Sequence, residues 1–507
     1  MTTLTTARSR RRTFTPRAPR VQLLGLVCVG AGALLVLYIM KGDREHDAQR
    51  LLEVVVAAGA ALAISRRPHV WVCVMIAVLP IQQLLLAFAF GHGAPLWAIR
   101  GAGAFKETIV VAVVIAAVRH TQRVGGIPFD ALDRWLAAFV LLAVAYIFLP
   151  RLPLPLKALS FSTELLGARQ TALWALLLLA LRRLPATERD ERRLLRTVFG
   201  VAIVVALCAI VETISPSTWN KLVINICHFP HYKFQVLHEP LSDPTDVTNR
   251  SSFAGSSIVR AGSVFVSPLA LGFWMSMPAV LAAQRATGAK VRGSTGIVAA
   301  LLGAGLLLSE TRSAILGVLI GIAVVMLRQR DKVRATMLLI LGALVLIPVA
   351  LSTTLEKRTF GGGGGVSNGA DTQQHLTQTI TGLRDAFQHP LGSGLGTGAG
   401  IGARFGQDLV VAENSYVGTA NELGVAAAII FIAIIVQLVR TAAKESDSDL
   451  ARGALGGVLA FAITALFLEP TVEVVTMLLI GSVCGVALRH DRPLNRGTPI
   501  DAGAIDP

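Results

Sequence analysis

Fourteen apolar stretches, joined by polar or basic connections, make up almost half of this 507-residue chain. A helix needs roughly 20 apolar residues to cross the hydrocarbon core of a bilayer, with a range of about 17–25. Several stretches are shorter than this and need flanking residues to complete a span. The sequence therefore predicts an all-α polytopic membrane protein with 12–14 transmembrane helices. The stretches lie at about 21–40, 51–65, 70–90, 104–118, 135–149, 170–181, 197–213, 263–284, 295–309, 313–327, 335–352, 415–439, 454–468 and 473–488.

The composition supports a membrane protein and excludes other classes. Hydrophobic residues make up 53% of the chain and charged residues only 15%, whereas a soluble domain carries charge on about 25% of its residues. Such a chain has too few charges to cover its surface in water, which excludes a soluble enzyme, a nucleic-acid-binding protein and a disordered protein. The net charge of +16 is first a signal of orientation, because cytoplasmic loops collect Lys and Arg.

The basic residues divide unequally between the two sets of alternating connections. Of the 47 Lys and Arg residues, 30 fall on the set that includes the basic tail 1–20 and the tail 489–507, and 17 fall on the other set. The positive-inside rule then predicts a multi-pass protein of the plasma (inner) membrane with both termini in the cytoplasm. Arg10–Arg12 before the first stretch also fit a twin-arginine export signal, but that stretch has the length of a full span and lacks a small-residue cleavage site.

Two connections are much longer than the rest. They divide the apolar stretches into blocks at 21–213, 263–352 and 415–488 and lie at 214–262 and 353–414. Both are predicted to be extracytoplasmic, and long connections of this kind are usually functional or disordered. The five glycines at 361–365 indicate a flexible hinge, because no lysine or helix start follows at the spacing of a phosphate-binding loop.

Two arginines on the predicted outer side are candidates for anion binding. Arg260 lies where the first long loop re-enters the membrane, and Arg312 lies in an outer turn of about three residues between two apolar helices. A guanidinium near hydrocarbon is costly unless it meets an anion, and its rigid fork matches phosphate. The alternatives are that each arginine reaches lipid headgroups, or that Arg312 pairs with Glu310.

The end of the second long loop carries further polar candidates. Glu413 precedes the next apolar stretch by two residues and is followed by Asn414 and Tyr416, while His389 begins a His-Pro-Leu-Gly-Ser-Gly-Leu-Gly run. Glu413 is either a functional carboxylate or a helix-start residue that favours the positive end of the helix dipole. Glu422 falls two turns further on, and we expect it to pair with an arginine at that depth.

A second cluster in the first long loop fits metal binding less well. Cys227, His228, His231, His238 and Glu239 are residue types that can ligate zinc. There is no second cysteine pair, and the interval from His231 to His238 exceeds the usual three to five residues. We therefore expect no metal, and we interpret these side chains as the lining of a glycan or lipid surface.

Three segments resemble the O-antigen ligase and polymerase superfamily. They are Arg-x-Gly-Ser-Val-Phe-x-x-Pro within 258–275, Leu-Ser-Glu-Thr-Arg-Ser-Ala-Ile-Leu-Gly within 305–327, and the third segment, 384–435. This third segment contains Arg-Asp-Ala-Phe-x-His-Pro-Leu-Gly-x-Gly, Glu-Asn-Ser-Tyr and Glu-Leu-Gly. The segments occur in the family's order, with its long outer loop between the second and third, and the likeness covers about 255–440.

The resemblance implies a GT-C-like membrane glycosyltransferase that needs no metal or cofactor. Such an enzyme takes a glycan from an undecaprenyl-diphosphate carrier among the membrane lipids of the outer face and passes it to an acceptor hydroxyl. Carried over by position, Arg260 and Arg312 would bind the diphosphate and stabilise the leaving group. The supporting residues would be Arg384, His389, Asn414, Tyr416 and Glu422.

The base that accepts the proton of the acceptor hydroxyl differs from the ligase pattern. Ligases of the family show a histidine before the Asn of the third motif, whereas this chain has Glu413 there. A carboxylate can act as a general base if its pKa is within reach of the working pH, and polymerases resemble this Glu-Asn arrangement more closely. A repeat-unit polymerase is therefore favoured over a ligase, and His389 is the alternative base.

Two other classes of function were weighed. A secondary transporter or lipid-linked-glycan flippase has a similar number of helices, usually with internal repeats and helices broken near the midplane. No clear repeat relates the two halves, but Pro80 and Gln82-Gln83 are expected to break the third helix. A scaffold or sensor protein would not need paired arginines at the outer surface.

Overall fold

The computed structural model describes residues 58–151, 156, 159–238, 260–286, 293–329, 368–398, 414–445 and 448–490. Several predictions concern residues outside these ranges. They are the stretches 21–40 and 335–352, residues 51–57 of the stretch 51–65, the glycine run 361–365, Glu239, Glu413, the arginines Arg10–Arg12, the tail 1–20 and residues 491–507.

Every regular element named in the described residues is helical, which agrees with the predicted all-α class. The helices are α1 (Pro68–Gly91), α2 (Leu96–Gly103), α3 (Phe105–Arg123), α4 (Ala131–Ala145), α5 (Phe161–Leu181), α6 (Glu188–Ile214), α7 (Pro216–Asn220), α8 (Phe229–Gln235), α9 (Pro268–Ala286), α10 (Gly293–Leu308), α11 (Arg312–Arg328), α12 (Asn368–Gln388), α13 (Ser415–Lys444), α14 (Asp449–Phe467) and α15 (Val474–Ala487). A π-helix (Lys221–Ile226) joins α7 to α8, and short 3-10 turns lie at Leu149–Arg151, Ser263–Phe265 and Pro470–Val472.

The predicted apolar stretches coincide with these helices wherever the chain is described. Within the described residues, seven helical segments are long and apolar enough to cross a membrane. They are Pro68–Gly91, Leu96–Arg123, Ala131–Arg151, Thr163–Leu181, Glu188–Ile214, Ser415–Lys444 and Asp449–Phe467. The protein is therefore a membrane protein by the length and composition of its helices.

Helix α14 packs along α11 with the two backbones in direct contact. A Cβ atom added to Gly317 would lie 2.4 Å from the carbonyl oxygen of Ala460, and one added to Gly321 would lie 2.3 Å from that of Gly456. Small residues four positions apart let helices approach closely in a bilayer, where packing rather than water expulsion drives association. This contact fixes the N-terminal end of α11 beside the C-terminal end of α14.

An aromatic cluster fills the space between α4, α5, α13 and α14. Phe431 of α13 lies at its centre, with ring centroids 6.0 Å from Phe139, 6.2 Å from Trp174, 5.6 Å from Tyr416 and 6.4 Å from Phe461. Aromatic pairs at such spacing stabilise a fold beyond the area they bury. The cluster is the floor of the candidate site described below.

A network of buried ion pairs ties several helix ends together at one end of the bundle, here called the basic end. Asp133 of α4 is fully buried and pairs with Arg182, Arg183 and His490, which follow α5 and α15. Asp130 adds a 2.6 Å ion pair to Arg182. Burial alone would raise the pKa of Asp130, but the hydrogen bond and charge of Arg182 lower it to about 2. The pair of Asp130 with Arg182 therefore stays charged down to strongly acidic pH.

The two long connections contain more helix than the sequence predicted. Helices α7 and α8 with the π-helix between them occupy part of 214–262, and α12 occupies part of 353–414. The described ends of both connections lie at the end of the bundle opposite the basic end, because they contact the end of α6 and the first turns of α13.

The predicted break in the third apolar stretch is wrong. Helix α1 runs without interruption from Pro68 to Gly91 with Pro80 inside it. The side chain of Gln82 is buried and donates a hydrogen bond of 3.2 Å to the carbonyl oxygen of Gly103. A proline inside a transmembrane helix is tolerated when neighbouring helices satisfy the freed polar groups, so the feature that favoured a transporter is absent from this helix.

Candidate functional site

The segment that carries Arg260 is held in place by a buried carboxylate of α6. Oε2 of Glu212 accepts hydrogen bonds from the backbone N–H groups of Gly262 (2.9 Å) and Ser263 (2.6 Å). The hydroxyl of Ser263 donates to the carbonyl oxygen of Val205 at 2.7 Å. Backbone donors that a helix cannot satisfy are thus paired inside the protein, and the start of α9 is fixed against the end of α6.

The turn between α10 and α11 lies directly against this segment. The N–H group of Ala261 donates to the carbonyl oxygen of Leu308 at 2.9 Å, and Nε of Arg260 donates to that of Ser309 at 3.2 Å. The hydroxyl of Thr311 donates to the carbonyl oxygen of Pro268 at 3.1 Å. Arg260 therefore lies at the turn that leads into Arg312, the first residue of α11. We call Arg260 and the turn 309–312 the arginine turn.

One carboxylate within the arginine turn is influenced by both arginines. Burial raises the pKa of Glu310, and the charges of Arg260 and Arg312 act to lower it. Among the described residues, no ion pair within 4.0 Å joins Glu310 to Arg312, whose side chain is exposed. The structure thus brings the two predicted arginines together around one acidic group and leaves the guanidinium of Arg312 open to an anion.

The first residues of α13 meet the same part of the bundle. Asn414 accepts hydrogen bonds from the N–H groups of Tyr416 and Val417, and its amide donates to the carbonyl oxygen of Leu466. These bonds make Asn414 the cap of α13. The hydroxyl of Tyr416 donates to the carbonyl oxygen of Ala462 at 3.0 Å. Both residues therefore position α13 against α14.

The C-terminal end of α14 joins this helix start to the arginine turn. Thr464 of α14 donates a hydrogen bond of 3.3 Å to the carbonyl oxygen of Ser313 in α11. The N–H group of Ser415 donates to the carbonyl oxygen of Leu468 at 3.2 Å. The second and third sequence motifs are therefore neighbours in space, as their predicted location on one side of the membrane requires.

The supporting residues Arg384 and His389 lie apart from these contacts. Arg384 is exposed on α12, and His389 follows the end of that helix with a side chain that is 61% exposed and 3.7 Å from Asp385. The backbone N–H group of Gly392 donates to the carbonyl oxygen of His389 at 2.7 Å. His389 therefore shapes a turn, which leaves the role of alternative base without support from its position.

A glycine-rich segment, residues 392–398, follows this turn and pairs with an interruption in α13. Gly424 has φ 83° and ψ 165°, which breaks the helix. The N–H group of Val425 donates to the carbonyl oxygen of Pro390 at 2.9 Å, and that of Ser393 donates to the carbonyl oxygen of Asn421 at 2.7 Å. Non-helical backbone at membrane depth is stable only when its polar groups are paired inside the protein, and here the two irregular segments satisfy each other.

Replacing Gly424 by alanine is expected to destabilise the protein by at least about 1–3 kcal/mol, because only glycine adopts this backbone conformation without strain. A Cβ atom here would also lie 2.7 Å from the carbonyl oxygen of Pro390. Thermal unfolding in detergent measures the effect. The control is Gly303→Ala in α10, where nothing lies within 4 Å of the added Cβ and the change should be neutral or stabilising. Equal melting temperatures for the two variants would contradict the assignment.

The predicted pairing of Glu422 with an arginine is wrong. Its Oε1 atom accepts a hydrogen bond of 2.7 Å from the backbone N–H group of Gly396. A Cβ atom added to Gly398 would lie 3.2 Å from Oε2. Backbone N–H groups of the glycine-rich segment thus take the place of the expected arginine, because this segment enters the bundle as deeply as Glu422.

A second half-buried carboxyl group, that of Glu469, faces the same space as Glu422 and was missed by the sequence analysis. It lies between α14 and the turn Pro470–Val472. Together with Glu422 it lines a pocket of about 420 Å³, open mouth included, which we call the carboxyl pocket. The other lining residues are Phe139, Gln170, Thr171, Trp174, Thr419, Leu423, Phe431, Thr471 and Val472. The sequence did contain a signal for Glu469, since Glu469-Pro470 places an acidic residue and a helix breaker between two apolar stretches.

Burial raises the pKa of Glu469 well above its usual value of 4.5, and the charge of Glu422 raises it further. In the unfolded chain this carboxyl ionises near its ordinary pKa, so the folded state holds the proton more tightly. The contribution of Glu469 to stability is therefore full below pH 4.5 and is lost as the pH rises through the higher pKa of the folded state.

The variant Glu469→Gln should lack this dependence. We expect its melting temperature in detergent to gain on that of the wild type as the pH is raised from 5 to 8. The matched control is Glu188→Gln, whose side chain is 84% exposed at the basic end and should give a constant difference. A constant difference for Glu469→Gln as well would refute the assignment.

The metal-ligating types in the first long loop are not gathered around a common point. The ring of His228 lies against that of His92 with centroids 5.7 Å apart, and the ring of His231 lies 5.5 Å from that of Phe90. Among the described residues, the group whose ligand atoms come within 4.8 Å of one another is Asp130, Asp133 and His490 at the basic end. The carboxylates of Asp130 and Asp133 already form ion pairs with arginines.

The site therefore has two parts at one end of the bundle, the cationic arginine turn and the anionic carboxyl pocket, connected through the end of α14. Glu413, the predicted base, lies outside the described residues. Comparison with known proteins adds no family to these observations: no protein-family model and no curated protein matches the chain.

Proposed function

We propose that the chain is a membrane glycosyltransferase of the O-antigen ligase and polymerase type, with a GT-C-like arrangement of 12–14 transmembrane helices. It would move a glycan from an undecaprenyl-diphosphate carrier on the outer face of the plasma membrane to an acceptor hydroxyl, in assembly of the cell envelope or an exopolysaccharide. A polymerase is favoured over a ligase, because Glu413 stands where ligases have histidine.

The observation that carries the proposal is the meeting of Arg260 and Arg312 at one turn. They are 52 positions apart in sequence, and both act on the charge of Glu310. When the bond to the sugar breaks, negative charge develops on the diphosphate, and preorganised cations stabilise such charge without a metal. Arginine also offers phosphate a bidentate fork. Glu413 would take the proton from the acceptor hydroxyl.

The test supplies the purified protein, in lipid nanodiscs, with an undecaprenyl-diphosphate-linked oligosaccharide and follows product length by gel electrophoresis. A ladder of lengthening products is expected for a polymerase, whereas one transfer to a second lipid or protein would indicate a ligase. Arg260→Ala should reduce either activity strongly. Full activity in the Arg260→Ala, Arg312→Ala double variant would contradict the proposed mechanism.

A secondary transporter or lipid-linked-glycan flippase is the second candidate, and a different observation favours it. Transporter sites are built where helices are interrupted near the midplane, and carboxylates within the membrane often bind protons or ions. The interruption at Gly424 and the carboxylates Glu422 and Glu469 have both properties. Movement of a fluorescent undecaprenyl-diphosphate glycan across proteoliposomes, with no new glycosidic bond, would favour this alternative.

The proposed orientation places both termini in the cytoplasm and both long connections outside. It follows from the unequal distribution of Lys and Arg between alternating connections. Reporter fusions at residues 290 and 355 test it, since phosphatase activity should appear only at the second position. Phosphatase activity at residue 290 would reverse the orientation and remove the arginine turn from the outer face.

A further inference from the structure

The carboxyl pocket combines an apolar surface with a set of hydrogen-bonding groups. Phe139, Trp174 and Phe431 form one part, while Thr171 and the two carboxylates contribute to the polar part. Small-molecule sites typically pair an aromatic wall with a few placed polar groups. A sugar ring has matching surfaces, since its C–H faces are apolar and its hydroxyl groups project around the rim.

The two carboxylates have acceptor capacity left for a ligand. A carboxyl group accepts hydrogen bonds through its oxygen lone pairs in both protonation states. Glu422 accepts from the backbone N–H groups of Gly396 and Gly398, and among the described residues no side chain gives Glu469 a hydrogen bond or an opposite charge. The described part of the chain therefore leaves acceptor positions on Glu469 for a ligand.

The charge of the pocket limits which part of a lipid-linked glycan can occupy it. Its two ionisable lining residues are both acids, and no Lys, Arg or His lines it. The pocket therefore offers a phosphate no cation, whereas a neutral hydroxyl-bearing ring needs none. The cations of the arginine turn lie on the other side of the α14 end, through Thr464 and Ser313, so the site separates a place for phosphate from a place for sugar.

Glycines bring the glycine-rich segment against Glu422, beside the pocket. A Cβ atom at Gly396 would lie 2.8 Å from the carbonyl oxygen of Thr163, and one at Gly398 would lie 3.2 Å from Glu422. The absence of side chains therefore lets this segment lie directly against Glu422. Larger residues would push it away or fill the space.

We propose that the carboxyl pocket binds one neutral sugar ring of the glycan substrate, with Glu422 and Glu469 accepting hydrogen bonds from its hydroxyl groups. This inference rests on the proposed glycosyltransferase function, for which it names the sugar-binding part of the site. Thr171 contributes a further hydroxyl from α5, and the ring stacks towards Trp174.

The test measures binding of methyl α-glucoside, methyl α-galactoside and methyl α-mannoside to the full-length protein in nanodiscs by saturation-transfer NMR. We expect at least one glycoside to bind saturably. Glu469→Gln should weaken that binding about three- to tenfold, because the amide nitrogen cannot accept a hydrogen bond from the sugar. Thr171→Val, which keeps side-chain shape and is expected to fold normally, should weaken it a few-fold, and Glu188→Gln should leave it unchanged.

The outcomes separate this inference from the proposed function. Saturable glycoside binding by a wild-type protein that shows no transferase activity would support the sugar site while removing the enzyme. Transferase activity that is unchanged by Glu469→Gln and Thr171→Val would overturn the sugar site while leaving the enzyme. The sugar site would also be overturned if no glycoside bound saturably. The same holds if sodium chloride or tetramethylammonium chloride stabilised the protein and the glycosides did not.

Discussion

Replacing Arg312 by alanine should lower the rate of glycan transfer by about 10²–10³-fold, the loss typical when one preorganised donor to a developing negative charge is removed. The side chain is exposed, and its removal leaves the packing of α11 against α14 intact. The loss should therefore appear in kcat and not in the melting temperature. Initial rates with the undecaprenyl-diphosphate-linked oligosaccharide measure it.

Two further variants separate charge from geometry. Arg312→Lys keeps the charge and loses the planar fork, so its rate should fall between those of the wild type and Arg312→Ala. Arg192→Ala removes an exposed arginine at the basic end and should change nothing. If Arg312→Ala and Arg192→Ala have equal rates, Arg312 does not act on the diphosphate.

Replacing Asp133 by alanine should destabilise the protein by about 3–5 kcal/mol, the usual cost of removing one partner from a buried ion pair. The residue is fully buried and accepts hydrogen bonds from Arg182, Arg183 and, at 2.8 Å, His490. Its loss would leave two buried guanidinium groups poorly compensated. Thermal and denaturant unfolding in detergent should show the change.

The control for this prediction is an exposed ion pair at the same end of the bundle. Glu188 and Arg192 are 84% and 65% exposed and lie 2.6 Å apart. Such a pair contributes about 0–1 kcal/mol, so Glu188→Gln should have little effect. A loss for Asp133→Ala as small as that for Glu188→Gln would mean that the buried network does not hold the helix ends together.

The helices were predictable from sequence because their signal is local. An apolar stretch between charged connections is visible in a window of about 20 residues, and α13 begins at Ser415 as expected. The meeting of Arg260 with the turn before Arg312 was also predictable in part. Topology placed both arginines on one side, and the short loop of 309–312 left little freedom.

The carboxyl pocket was not predictable, because its contacts join residues far apart in sequence. Glu422 lies on α13, Glu469 lies between α14 and the turn Pro470–Val472, and Thr171 belongs to α5. The expected arginine partner of Glu422 is replaced by the backbone of Gly396, which a reading of charges cannot anticipate. The buried role of Asp133 was missed for a similar reason, since its partners Arg182, Arg183 and His490 are far from it in sequence.

The glycine contacts between α11 and α14 also bear on how a large lipid substrate could enter. Because these backbones touch at Gly317, Gly321 and Gly456, sliding or separating the two helices would require breaking their closest packing. We expect them to move as one rigid body that carries Arg312. The first turn of α13 belongs to the same body, because Asn414 and Tyr416 donate hydrogen bonds to carbonyl oxygens of α14.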